Sequence, residues 1–269
     1  MSKKIIVSTL LGASLSFATW GYFPLQESDK GLQVKASFNL GTGDNPIAFG
    51  LGARYVLGSS FEISLMDIGF VSGDKIPLDL ESYGDNELPT NSGLMNPVLG
   101  VRYQFTRKFG AFVDLAIPFD SQEFAPGYIY LGIQKAFTLN RHFAWGNEVG
   151  YKSFFAVSSE TYYGDTEDVT RGSQVLVATE LDFNKNPNFI WFVGGKASWN
   201  ISETNGEARI DGAHNLGEEG DTGIDVFAGA SYKINPNLAI EEEFSMTLLG
   251  SGEFDKSGLN FKTSAKYAF

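Results

Sequence analysis

Twelve runs of alternating apolar and polar residues, joined by connections that are alternately short and long, predict an all-β chain. The expected fold is a single closed antiparallel transmembrane β-barrel of about 12 strands in an up-and-down meander. Composition agrees: 14% aromatics and 31 Gly among 269 residues suit strands with tight turns. No stretch of 18 apolar residues is present that would cross a bilayer as a helix.

The chain opens "MSKKIIVSTLLGASLSFA". Lys3 and Lys4 precede an apolar stretch from Ile5 to Leu15, and Ser16-Phe17-Ala18 supplies small residues at a cleavage site. Residues 1–18 therefore read as a secretory signal peptide. The segment 19–30, "TWGYFPLQESDK", follows it on the side of the short turns. Its aromatics lie either at the membrane interface or inside the barrel as a plug. The barrel itself is expected over 31–269.

The runs fall at 31–40, 48–57, 60–69, 97–105, 109–117, 127–137, 142–157, 173–184, 188–201, 223–234, 237–248 and 258–269. Five connections are short: "LGSS", "TRKFG", "TLNRH", "NKNPN" and "KINPN". Those between them are mostly long and polar. With an even strand number, both chain ends fall on the short-turn side.

Each run divides into an oily and a wet face. In the first, Leu32, Val34, Ala36, Phe38 and Leu40 oppose Gln33, Lys35, Ser37 and Asn39. In the last, Leu259, Phe261, Thr263, Ala265, Tyr267 and Phe269 oppose Asn260, Lys262, Ser264 and Lys266. A soluble sandwich would alternate too. Three features favour a membrane: strands long enough to cross tilted, apolar-face aromatics near strand ends (Tyr103, Trp145, Trp191, Trp199, Tyr267), and an aromatic at the chain end. In "LAIEEEFSM", Glu242 would face lipid if Glu241 and Glu243 face inward. Either it sits at the membrane rim or a bulge shifts the register there.

A strand in lipid must satisfy every backbone N–H and C=O, so the sheet closes and its inner face carries the chemistry. Projecting each run inward gives a basic set, Lys35, Arg54, Arg102, Lys152, Lys196, Lys233, Lys262 and Lys266. It also gives an acidic set, Glu62, Asp114, Glu148, Glu180, Asp182, Asp225, Glu241 and Glu243. The two balance, so the lumen is near neutral. Glu241 and Glu243 neighbour Lys262 and Lys266, with Lys35 across the closing seam, an arrangement expected to form cross-strand ion pairs. Such pairs either brace the wall or line a path for polar solutes. Inward Phe112, Tyr128, Tyr130, Phe154, Phe192 and Phe227 either stack against a solute or fill a small barrel. Inward Gly residues leave room opposite them.

The net charge sits elsewhere. Without residues 1–18 the chain holds 18 basic and 32 acidic groups, a charge near −14, which argues against a nucleic-acid partner. The excess acid lies in the long loops, for example Asp74, Asp79, Glu81, Asp85 and Glu87, and again Glu203, Glu207, Asp211, Glu218, Glu219 and Asp221. Such a mouth repels anions and concentrates cations. No Cys and only two His, His142 in a short turn and His214 in a long loop, leave no expected metal site or cofactor and no catalytic constellation. The chain reads as a non-enzyme.

The signal peptide, the even count of amphipathic strands, the short turns and the terminal Phe269 resemble the outer-membrane barrels of Gram-negative bacteria. The resemblance is closest to the twelve-stranded channels and putative transporters, and it covers nearly all of 31–269. It implies location in the cell outer membrane, short turns and segment 19–30 in the periplasm, and long loops outside. It implies that Ala265, Tyr267 and Phe269 form the signal read by the barrel-assembly machinery, Ala265 being small for a position that favours bulk. It further implies contact with outer-membrane lipid and lipopolysaccharide, and a monomer. The function expected is porin-like passage of small hydrophilic solutes with mild cation preference. The alternative is a non-conducting structural or ligand- or partner-binding barrel with acidic extracellular loops.

Overall fold

The computed structural model describes residues 22–25, 31–41, 47–58, 60–72, 93–118, 127–160, 166–169, 172–186, 188–202, 219–250 and 259–269. Residues 1–18, expected to be a signal peptide, His214 and most of the acidic loop residues lie outside them.

The strands in chain order are β1 (Gly31–Gly41), β2 (Ile47–Leu57), β3 (Phe61–Ser72), β4 (Gly93–Leu94), β5 (Val98–Thr106), β6 (Phe109–Ala116), β7 (Tyr128–Thr138), β8 (Phe143–Phe154), β9 (Val157–Glu160), β10 (Thr166–Val169), β11 (Gln174–Asn186), β12 (Phe189–Asn200), β13 (Thr222–Lys233), β14 (Leu238–Gly250) and β15 (Leu259–Ala268). Twelve of them build one antiparallel sheet in meander order. β1 pairs with β2 on one side and with β15 on the other, so the sheet closes and leaves no edge. The two-residue β4 extends the loop end of β3, and β9 and β10 form a separate hairpin within a long loop.

The short turns form because their residues cap their own backbone. Asn140 Oδ1 accepts the N–H groups of His142 (2.8 Å) and Phe143 (3.1 Å). Asn235 Oδ1 does the same for Asn237 and Leu238, both at 2.9 Å, and Asn186 Oδ1 accepts Asn188 N–H at 3.0 Å. These Asx turns satisfy donors that the ladder leaves free. In the β2–β3 turn Gly58 takes φ +63°, which costs glycine nothing.

The outer face is oily. Leu32, Phe38, Phe49, Leu51, Ile63, Val101, Leu131 and Val193 are all exposed, as they are in a protein whose outer solvent is acyl chains. Near the short turns this face carries a girdle of touching rings. Tyr103 meets Phe105 at 5.0 Å, Phe137 meets Trp145 at 5.3 Å, Phe189 meets Trp191 at 4.9 Å, and Tyr267 meets Phe269 at 4.8 Å. Amphipathic rings at this height match the membrane–water boundary.

Glu242 stands in the outward row of β14 between Ile240 and Phe244. The ladder runs unbroken through it, facing Ala230 on β13 and Thr263 on β15. The bulge alternative therefore falls away. Thr263 donates its hydroxyl to Glu242 Oε2 at 2.7 Å, giving the carboxyl group a partner on the membrane face.

A bulge does occur in β3. The β2–β3 register shifts between Leu51 and Ala53, and Met66 and Asp67 both turn inward, buried. Asp67 has φ +59°, a left-handed conformation that an Asp tolerates better than most residues. Strict alternation over 60–69 places Asp67 on the lipid face. The extra residue reverses that, and Ile68 and Phe70 resume the outer row beyond it.

Candidate functional site

The inner face carries a polar half toward the short turns and an apolar layer toward the long loops. β2, β3 and β5 set up the first charged group. Glu62 is completely buried and lies between two guanidinium groups, with Arg54 Nη1 at 3.1 Å and Arg102 Nε at 3.6 Å. Arg54 also donates to Gln33 Oε1 through Nε (2.9 Å) and Nη2 (2.8 Å). From Arg102 the network continues around the wall: Nη1 donates to Gln134 (3.3 Å), Gln134 Nε2 donates to Glu148 (2.7 Å), and Tyr130 donates to the other Glu148 oxygen (2.6 Å). Side chains of β1, β2, β3, β5, β7 and β8 are thus linked in one belt.

The second group lies at the closing seam. Lys35 and Lys266 are direct cross-strand partners, a like-charge pairing that is unfavourable alone. Glu241 of β14 resolves it, with one oxygen 3.8 Å from Lys35 Nζ and the other 2.5 Å from Lys266 Nζ. Glu243 faces Lys262 in the ladder. On β12 and β13, Lys196 Nζ lies 3.6 Å from Asp225, which also accepts the Thr247 hydroxyl at 2.8 Å. Glu180 and Asp182 stand together on β11, half-buried.

The remaining charged positions divide. Asp114 and Lys152 are fully buried, and Lys152 Nζ rests 3.5 Å from the centroid of Tyr128 and 4.9 Å from that of Phe154. Cation–π contact replaces water for this ammonium. Lys233 is exposed at the short-turn rim. Ala265, Tyr267 and Phe269 lie on the outer face, all exposed. Asp67 joins the interior only through its bulge. His142 sits at the short-turn end with Nδ1 3.1 Å from the Asn184 carbonyl oxygen.

The inward aromatics pack against one another rather than lining an open tube. Phe112, Tyr128, Tyr130 and Phe154 form an apolar cluster with Met66, Val98, Ala116 and Leu176. The glycines make this possible. The Phe112 ring lies over Gly132, the Tyr130 ring over Gly150, and the Phe227 ring over Gly194, each on a neighbouring strand. A Cβ at Gly194 would run into both that ring and the Thr179 carbonyl.

Of segment 19–30, residues 22–25 are described, and they lie inside the barrel. Tyr22 stacks on Phe227 of β13 with centroids 5.6 Å apart. On the other side, a Cβ at Gly146 of β8 would meet the Tyr22 carbonyl at 2.9 Å and the Phe23 ring at 3.0 Å. Pro24 and Leu25 are buried. Below this segment, toward the short turns, lies a cavity of about 390 Å³. Above it, a void of about 10 Å³ separates Tyr22 from Tyr128, Tyr130 and Lys152.

A closed twelve-stranded wall with an oily exterior, an aromatic girdle and a charged interior defines a β-barrel of the porin-like outer-membrane fold, located in the cell outer membrane. Comparison with known proteins agrees. A family model described as Opacity family porin protein matches residues 145–267, the stretch from β8 to β15. No curated protein sequence matches the chain. Among solved structures, the COG4313 outer membrane channel from Pseudomonas putida F1 superposes with a TM-score of 0.67 at 13% identity, covering 93% of this chain and 99% of that one. The NanC porin gives 0.55 at 9% identity, over 89% and 100%. The translocator domain of the autotransporter NalP from Neisseria meningitidis gives 0.50 at 12% identity, over 91% of each. At such low identity these likenesses describe the fold.

Proposed function

We propose that this barrel passes small hydrophilic solutes across the outer membrane by diffusion, with a mild preference for cations. The observation that carries the reading is the belt of paired charges from Gln33 to Glu148 together with the seam group around Glu241. It makes half the interior polar and hydrogen-bonded rather than apolar. A wall of this kind replaces water contacts for a polar solute and offers little to an apolar one. The cation preference rests on the acidic loop residues, whose field would enrich cations at the mouth. The lumen is narrow, so solutes are small and passage requires residues 22–25 to shift from their seat on Phe227. The chemistry is passage alone, with no bond made or broken. The barrel works as a monomer, contacts lipid and lipopolysaccharide from outside, and is inserted by the barrel-assembly machinery through Ala265, Tyr267 and Phe269.

A second reading has one observation in its favour. Tyr22 and the apolar cluster around Tyr128 close the lumen at two levels, as they would in a non-conducting barrel whose loops bind a partner. Planar-bilayer recording of the refolded protein separates the two. Stepwise currents with a reversal potential on the cation side support the channel. A silent bilayer with insertion verified by protease protection supports the binding barrel and overturns the channel.

A further inference from the structure

The five short connections carry charge of one sign. They supply Arg107, Lys108, Arg141, Lys185 and Lys233, and none of them holds an Asp or Glu, although the chain has 32 acids against 20 bases. Three of these cations gather with a fourth in one sector of the wall, from β5 to β8. There the β5–β6 turn presents Arg107 and Lys108, the β7–β8 turn presents Arg141, and Lys135 stands on the membrane face of β7, all four exposed. None is ion-paired to a carboxylate among the described residues. Lys135 is the informative one, since it occupies the outward row between the exposed Ile133 and Phe137, where an apolar residue is due. Its ladder partner Phe109 follows directly on the Arg107–Lys108 turn, and the Ala136 N–H donates to the Lys108 carbonyl at 2.9 Å, so Lys135 sits beside that turn. Its Nζ lies 5.1 Å from the centroid of Phe137, two residues nearer the short-turn end, so the stem runs along the oily face toward water. Beside these cations lies a floor of rings, Phe105 on Phe109 at 5.6 Å and Phe137 on Trp145 at 5.3 Å. Glu242, by contrast, lies on the outer row of β14, five strands away from β7 around the ring, and is held by Thr263.

We propose that the outer face of the β5–β8 sector binds acidic phospholipids in the leaflet at the short turns. The lipid phosphate meets Lys135, with Arg107, Lys108 and Arg141 adding positive field from the two turns. The glycerol region lies against the rings, and the acyl chains run along Leu131, Ile133 and Val149, which are exposed on the same face. A zwitterionic phospholipid brings an ammonium of its own, which the four cations repel, so the surface discriminates by net charge. A soluble acidic protein would meet the turn cations but would not reach a lysine set among lipid-facing side chains. Lys135 therefore commits the surface to lipid. The inference deepens the lipid contact stated above by naming the lipid class and the residues. It rests on that contact and needs no conduction.

The test is quenching of tryptophan fluorescence by brominated lipids in vesicles holding the refolded full-length barrel. W20F/W191F/W199F leaves Trp145, in the sector, as the sole reporter, and W20F/W145F/W191F leaves Trp199 at the loop end of β12 as the control. Brominated phosphatidylglycerol is mixed with unbrominated phosphatidylcholine, and then the labels are exchanged, which gives the relative affinity of the two lipids at each ring. Phosphatidylglycerol is expected to be favoured about fivefold or more at Trp145 and close to onefold at Trp199. Adding R107Q/K108Q/K135Q/R141Q should bring the Trp145 ratio close to one. These side chains are exposed and unpaired, so the barrel is expected to fold, checked by heat-modifiable gel mobility. Equal quenching of Trp145 by both lipids overturns the proposal, as does a preference that survives the four substitutions or that Trp199 shares. Equal quenching removes the selectivity and leaves the lipid contact in place. A Trp145 that neither lipid quenches removes the lipid contact as well.

Discussion

Replacing Glu62 by Gln tests whether the inner wall is held by charge or only by packing. The substitution keeps the volume and one carbonyl-like acceptor but removes the charge between Arg54 (3.1 Å) and Arg102 (3.6 Å). All three side chains are buried, with Glu62 at 0% exposure, so solvent offers little compensation. Breaking one partner out of a buried ion pair costs about 3–5 kcal/mol because the other charge stays behind. Arg54 keeps two hydrogen bonds to Gln33 and Arg102 keeps one to Gln134, which places the expectation at the lower end, about 3 kcal/mol. That corresponds to about a hundredfold shift in the unfolding equilibrium. Urea unfolding in phospholipid vesicles, followed by tryptophan fluorescence and by heat-modifiable gel mobility, measures it. The double variant E62Q/R54Q should recover part of the loss. A cost under about 1 kcal/mol for E62Q would refute the reasoning, since it would mean that water reaches this site freely.

Four other outcomes follow from the geometry. Deleting residues 19–30 should raise single-channel conductance about twofold or more, because Tyr22 no longer bridges Phe227 and Gly146; an unchanged current would show that the segment does not restrict the path. G194A should cost about 1–3 kcal/mol in the same unfolding assay, since the new methyl group displaces Phe227 and meets the backbone of β11. E242Q keeps an acceptor for Thr263 while removing a charge from the lipid face, so stability in vesicles should be unchanged or higher by about 1–2 kcal/mol; a clear loss would place Glu242 in an ion pair instead. Removing Phe269 should slow assembly in cells while leaving the refolded barrel's unfolding midpoint nearly unaltered, and equal assembly rates would discard its role as an insertion signal.

The architecture was legible because a membrane barrel writes both of its solvents into alternate residues. Leu32 and Lys35 announce opposite sides without knowledge of any partner, and all twelve expected runs have a strand. The Asn residues in "NRH" and "INPN" likewise marked their own turns. Partnership was less legible. That Glu241 serves both seam lysines was implied by strand order, but that Arg102 reaches Gln134 and through it Glu148 depends on rotamers and on tilt between strands far apart in sequence. Asp67 is missing from the inward acidic set read from the sequence because alternation has no memory of an inserted residue. The signal was present in the outward apolar series, which steps from Ile63 and Leu65 to Ile68 and Phe70, a spacing of three where two was due. Which of the two places residues 22–25 would take was not decidable from twelve residues of mixed character. Its answer comes from Gly146 and Phe227, which leave a slot of the right shape.

The join between first and last strands constrains the order in which the cylinder can be completed. Were β15 to approach β1 alone, two ammonium groups would be brought face to face in a setting that is losing its water. When β14 and β15 arrive as a hairpin, the carboxylate is already clasped to Lys266 and greets Lys35 with attraction. The final zipper is then electrostatically downhill only after its neighbour has formed, so the chemistry of a single glutamate favours closure as the last event of assembly.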